Sequence, residues 1–289
     1  MNNKKVSYIS DTFQYGMHAC GFIHNLMFTN SLESLKYWYA QGVKIFEIDI
    51  DNTGGGEFVA CHNFTKDTFE KMEIDNIPAK CTYEWFKKQK LYSKTTGGLT
   101  PMTLENLFEL LRDYPDILFM IDPKVYSYPE TCILLAKLKD YITSFNIDGK
   151  RIIFETYNED MIHATILYQK IMQYQYCVDD EMQMGTSEKI RSWDLDILIN
   201  FLKEKEIWIL SYPWKFAVEN LEKLKRLYDE GFIIFSKTRN DILCDLLKQA
   251  GITVNIIDYL VTPEQQDLLQ NYLAEYTLKY SNKIKQIFH

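Results

Sequence analysis

The feature that most restricts the fold of this 289-residue chain is a rhythm of short apolar runs, each too brief for a helix, separated by stretches with helical spacing. The runs are Val43–Ile50, Glu57–His62, Ile117–Asp122, Arg151–Glu155, Tyr174–Val178, Ile207–Leu210, Phe232–Phe235 and Ile252–Asn255. Helical patterns fill the intervals: Ser31–Ala40 behind a serine cap, a second opening on Thr103, then Pro129–Tyr141, Asn158–Ile171, Ile190–Lys203, Val218–Tyr228 and Asp241–Gln249. Strand and helix repeated about seven or eight times predict an α/β protein, a closed (β/α)8 TIM barrel with residues 1–289 as one domain. An open doubly wound sheet is the alternative.

Two segments break the rhythm. Residues 63–98 carry many charges and aromatics but no strand pattern, and end in Thr95-Thr96-Gly97-Gly98. They are expected to be an insertion after the second strand region, lying over the active-site face. Residues 262–289 read as a C-terminal helical extension that starts on Thr262-Pro263. Packing against the barrel is their expected use rather than lying on a membrane, because Glu264, Asp267 and Glu275 temper the lysines.

Composition narrows the partners. At 46% hydrophobic the chain can bury a large core, and 40 acidic against 32 basic residues give a formal charge of -8. Without a patch of Lys and Arg interleaved with aromatics, that charge argues against nucleic acid as a ligand. No apolar run is long enough to span a bilayer, and Asp11, Gln14 and His18 interrupt the region where a secretory leader would be apolar. The expected compartment is the cytoplasm unless a leader has been removed, and no protein partner is implied. Cys20, Cys61, Cys81, Cys132, Cys177 and Cys244 are widely spaced with no CxxC pair, as expected of free thiols.

The chemistry concentrates at strand ends. In Glu47-Ile48-Asp49 the period of two turns both carboxylates to one face, where they repel each other unless a cation or proton intervenes. A hard divalent cation with oxygen ligands, Mg²⁺ or Ca²⁺, resolves that conflict, and Asp122 can supply a third carboxylate; a pair of solvated acids is the plainer alternative. His18 and His62 also fall near strand ends, and such a pair can act as general acid and base across a phosphorus centre. Each taken singly could equally be a structural hydrogen-bonder. Lys124 beside Asp122 suits an anionic substrate, or is merely solvated. A glycoside hydrolase needs two carboxylates but neither the histidines nor the lysine.

In this order and spacing, His18-Ala19-Cys20-Gly21, Thr29-Asn30-Ser31-Leu32-Glu33-Ser34, Phe46-Glu47-Ile48-Asp49, Cys61-His62-Asn63, Leu99-Thr100-Pro101-Met102-Thr103-Leu104 and Ile121-Asp122-Pro123-Lys124 resemble the glycerophosphodiester phosphodiesterase family. The resemblance is to a divergent branch of the phospholipase-C-like barrel phosphodiesterases and covers about the first 125 residues, with Glu155-Thr156-Tyr157-Asn158 beyond them. It implies acid/base roles for His18 and His62, one divalent cation on Glu47, Asp49 and Asp122, and a phosphate contact from Lys124. It also implies a small-molecule glycerophosphodiester or lysophospholipid-like substrate, with a neighbouring hydroxyl able to attack first and give a cyclic phosphate.

The chain departs from the family pattern at three places. Ala19-Cys20 replaces the usual arginine of His-Arg-Gly, Asn63 replaces the aspartate after the second histidine, and Thr53-Gly54-Gly55-Gly56 lacks the acid of the usual turn. A phosphate-binding module without turnover, or a phospholipase D-like enzyme releasing a cyclic phosphate, are the alternatives. Glu155 and Tyr157 follow a later strand and can line the pocket; Glu155 could add to the metal environment, touch a substrate hydroxyl or form an ion pair. Trp214, in Tyr212-Pro213-Trp214, offers an aromatic rim for an organic group, or plain packing.

Overall fold

A computed structural model describes residues 14–168, 170–177, 195–238, 241–258, 260 and 278–288. The strands are β1 (Gln14–Met17), β2 (Ile45–Asn52), β3 (Phe58–Ala60), β4 (Leu118–Pro123), β5 (Ile152–Thr156), β6 (Gln173–Cys177), β7 (Ile209–Pro213), β8 (Ile233–Lys237) and β9 (Val254–Ile257). Two compact units contain them, one of residues 17–156 and 160–173, the other of 1–16, 157–159 and 174–289.

In the first unit β2 runs parallel to β4 with Ile45 opposite Leu118 and Asp49 opposite Asp122, and β4 runs parallel to β5 with Ile121 opposite Phe154. β3 folds back antiparallel on β2, pairing Ile50 with Ala60. Nearly every residue of these strands is buried, as expected where helices cover a parallel sheet. The helices begin where the sequence places caps. Ser31 accepts the Ser34 N–H at the head of α1 (Leu32–Ala40), and Thr103 and Asn106 form a reciprocal capping box at α2 (Leu104–Asp113). α3 (Tyr128–Ser144) is capped by Ser127, with Pro129 in its first turn.

Residues 63–98 contain three short helices, Lys66–Lys71, Tyr83–Phe86 and Ser93–Thr96. Phe69, Phe86, Met72, Ile74 and Leu91 form a core there with Val59 and Cys61, so this excursion is packed onto the β3 end rather than loose.

In the second unit β6, β7, β8 and β9 are parallel neighbours in chain order, and the Gln14 N–H donates to Thr253 O at 2.9 Å. Where one helix was expected over Val218–Tyr228 there are two, Trp214–Glu219 and Leu221–Asp229, broken at Asn220. The expected helix Asn158–Ile171 ends at Thr165 and tightens into a 3₁₀ turn, Ile166–Tyr168. Of the C-terminal extension, residues 278–288 are helical; 262–277 lie outside the described residues, as do Ile190 to Trp193, Asp194 and Val178 of the expected elements. All six cysteines are free.

Candidate active site

The site is built on β2. Its alternation turns Phe46, Ile48 and Ile50 to one side, while Glu47, Asp49 and Asp51 follow Ile45 along the other. The parallel register sets Asp122 beside Asp49. One ligand oxygen from each of Glu47, Asp49 and Asp122 lies within 4.8 Å of the others, and all three side chains are buried. Lys124 joins them because its backbone N–H donates to Ile50 O at 2.8 Å, prolonging the ladder past Pro123 and keeping Lys124 on the face of Asp122. Its Nζ lies 2.8 Å from Asp49 Oδ1 and 2.9 Å from Asp122 Oδ2. Burial by itself lowers the proton affinity of this amine, but the charges of Asp122, Asp49 and Glu47 override it and hold Lys124 well above the usual lysine range.

Three buried carboxylates against one ammonium leave excess negative charge in a small volume, and their donors are all oxygen. That set fits a hard divalent cation held by Glu47, Asp49 and Asp122.

Asn30 fixes one of these groups. Its Nδ2 donates to Asp49 Oδ2 at 2.8 Å, and its Oδ1 accepts the Asp49 N–H at 3.1 Å. The Thr-Asn-Ser stretch thus supplies an orienting amide, a role the sequence reading did not assign. The stretch is itself tied down: Glu33 accepts both the N–H and the hydroxyl of Thr100 at 2.7 Å, so two separated motifs meet.

The turn carrying His18 is unusual. Ala19, Cys20 and Gly21 have φ of 44°, 67° and 88°, a left-handed run that L-residues seldom adopt. This run aims the Ala19 N–H at Glu47 Oε2, 2.6 Å away, and places His18 Nε2 3.8 Å from the same oxygen. Gly21 has no substitute, since a Cβ there would lie 2.5 Å from the Trp38 indole nitrogen. Phe28 packs edge-on against the His18 ring at 4.9 Å. Cys20, buried behind the turn, is no nucleophile: burial first, then the charges of Glu47 and Asp49, push its thiol well above the usual range.

His62 lies two residues beyond the end of β3 rather than on it, and is exposed. Crowding by surrounding atoms and the Lys124 cation lower its proton affinity, against the opposing pull of Asp49 and Asp122. Asn63 Nδ2 lies 2.7 Å from His62 Nδ1. Asp51, next on the acidic face, accepts the Phe64 N–H at 2.6 Å and anchors the start of the excursion. Burial raises its pKa, partly offset by the N–H groups of Phe64 and Asn52. Tyr126 stands close enough for its phenol to feel Lys124, Asp122, Asp49 and Asp51, with burial raising its pKa first. Asp51 and Tyr126 were both missed in the sequence. The period-two rule marks Asp51, but Tyr126 follows the strand and has no pattern to reveal it.

Glu155 is buried on β5, one residue past the Ile121–Phe154 pair, although the group of mutually close ligand oxygens does not extend to it. Tyr157 is buried just after β5, and Trp214, half-buried, opens the helix after β7; both belong to the second compact unit.

Comparison with solved structures settles the architecture. A glycerophosphodiester phosphodiesterase from Parabacteroides distasonis matches with a TM-score of 0.65 and 16% identity, over 92% of this chain and 99% of the other. The fold is that of the glycerophosphodiester phosphodiesterases. An Oleispira antarctica phosphodiesterase, solved in complex with the product sn-glycerol-3-phosphate, matches equally well (TM-score 0.65, 16% identity, 92% and 98% covered). The glycerophosphodiester phosphodiesterase of Thermotoga maritima gives 0.60 at 18% identity, over 90% and 98%. The (β/α)8 barrel expected from the strand and helix rhythm is thereby borne out. No protein-family model matches the sequence, and no curated protein matches it in a sequence comparison.

Proposed function

We propose that the protein is a metal-dependent phosphodiesterase acting on a glycerophosphodiester or a related lipid head-group diester. The observation that carries this reading is the buried Glu47, Asp49 and Asp122 cluster with Lys124 across it, in a fold shared with glycerophosphodiester phosphodiesterases. Held by those carboxylates, Mg²⁺ or Ca²⁺ would offset charge at a nonbridging phosphate oxygen. Lys124 adds a second, fixed positive charge beside the phosphate. His18 and His62 divide the proton transfers, one relieving the attacking oxygen of its proton and the other protonating the departing alkoxide. Glu47 assists by steadying the His18 turn through the Ala19 N–H. Residues 63–98 cover the mouth of the site in this reading, supported by the Phe64 bond to Asp51. Glu155, Tyr157 and Trp214 are assigned to substrate contact.

A screen of divalent metals against diester substrates, with phosphorus NMR of the products, tests the proposal. Turnover is expected with Mg²⁺ or Ca²⁺ and is lost in D49A. If H18A and H62A both cleaved every such diester at the wild-type rate, the histidine mechanism would be wrong.

A second reading rests on Asn63 and on Ala19-Cys20, which stand where the family pattern has aspartate and arginine. It makes the protein a phosphate or head-group binder without turnover. Saturable diester binding with no product in any metal would favour it.

A further inference from the structure

A cleft of about 670 Å³ opens between the β2–β3 turn and the excursion that follows β3. Local bonds set its walls. On one side Asn52 Oδ1 accepts the Gly54 N–H at 2.8 Å and Glu57 O accepts the Thr53 N–H at 2.9 Å, which closes the turn. On the other, the stretch from Ile77 to Cys81 forms the rim, with Cys81 Sγ 3.7 Å from Pro78 O. Phe64 and Phe69 line the cleft and meet edge to face at 4.9 Å, and Phe69 is fully buried in the core of the excursion. Size and aromatic lining are those of a small-molecule site.

Its charge runs against that of the chain. Lys66 and Lys80 line the cleft, and among the described residues no acidic side chain does, in a protein of formal charge -8. Both lysines are exposed; Lys66 lies 3.6 Å from Glu70 one helical turn on, an exposed pair that holds its ammonium only weakly. The cleft is also continuous with the acidic face of β2. Asn52 follows Asp51 along the strand, Phe64 lies two residues beyond His62, and the Phe64 N–H donates to Asp51 Oδ2 at 2.6 Å.

We propose that this cleft takes the alcohol on the His62 side of the diester, and that this alcohol carries an anionic group of its own, a phosphate or carboxylate met by Lys66 and Lys80. The buried carboxylates of the metal cluster repel a second anionic group, and the two ammoniums offset that repulsion where the group would lie. A cationic alcohol such as choline meets two like charges there, and an uncharged glycerol gains nothing from them. The diester part of the proposal rests on the phosphodiesterase reading. The preference for an organic anion rests on the lining of the cleft alone.

Two diesters that differ by one group test this: glycerophosphoglycerol, and the same diester with a phosphate on its terminal hydroxyl. The phosphorylated diester is expected to show a kcat/KM about 10-fold higher, a preference that shrinks at high salt and in K66Q/K80Q. A binding readout needs no turnover, because Cys81 lines the cleft as a free thiol. Excess phosphorylated diester is expected to slow its alkylation by maleimide, mapped by peptide mass spectrometry, while Cys132 and Cys244 react as before; K66Q/K80Q should abolish the protection. Alkylation of Cys81 at the same rate with and without that diester would overturn the proposal, as would a wild-type preference that is absent or unchanged in K66Q/K80Q. If Cys81 is protected through the two lysines but no diester is cleaved with any metal, the phosphodiesterase reading fails and the cleft stands as an organic-anion site.

Discussion

Asn30 is where one side chain does most to set up the acidic cluster without belonging to it. Two hydrogen bonds to Asp49 fix both the carboxylate and the backbone of that residue. Asn30→Ala should cost about 1–3 kcal/mol in denaturant melts, because both partners lie buried. Divalent-ion affinity in the same variant should fall about 10- to 100-fold by calorimetry, the usual penalty for losing an orienting group behind a ligand. His62 gives a prediction in pH. Its pKa is lowered in the fold, so between that value and the ordinary 6.5 the unfolded chain binds more protons than the folded one. Its contribution to stability is therefore present above pH 6.5 and declines as pH falls through the folded pKa; H62Q should show a shallower loss in melts over that window. The convergence of Glu47, Asp49 and Asp122 was legible because charge in an apolar strand demands a reason. Asn30 was not, since an asparagine in a Thr-Asn-Ser stretch looks like any loop residue until its partner is known.

At the scale of elements, several strands extend further toward their C-terminal ends than the apolar runs do. β2 continues to Asn52, β5 to Thr156, β7 to Pro213 and β8 to Lys237. The physical reason is that hydropathy records only the part of a strand packed in the core. Residues at the other end, such as Asp51 and Lys237, stay in the ladder while their side chains are polar. β3 goes the other way: it stops at Ala60, two residues short of the His62 that the run Glu57–His62 placed at its end. The starts behind Ser31 and Thr103 were legible because a cap is a local device: each side chain meets the backbone three residues on. Thr103→Ala should cost about 1 kcal/mol in urea melts. The break at Asn220 had no such signal. The excursion offers a sharper test of packing. Phe69 is fully buried in its core, so Phe69→Ala should cost about 3–5 kcal/mol, with hydrogen exchange rising first within residues 63–98.

For the whole molecule, every carboxylate of the proposed metal cluster lies in the unit of residues 17–156 and 160–173. A divalent ion at a hundredfold excess over its Kd should stabilise the fold by about 2.7 kcal/mol, raising Tm, with chelator restoring the original value. Protection in hydrogen exchange should concentrate in β2 and β4, and D49N should remove both effects. The barrel class was readable because apolar runs and helical spacing alternate over much of the sequence, whereas the link from Thr100 to Glu33 needed three dimensions. Lys124 carries a consequence for how such a protein matures. Its ammonium sits against Asp49 and Asp122, so the chain brings its own counter-ion to carboxylates that would otherwise resist burial together. The core is therefore expected to form before any ion is bound, which refolding in excess chelator would check.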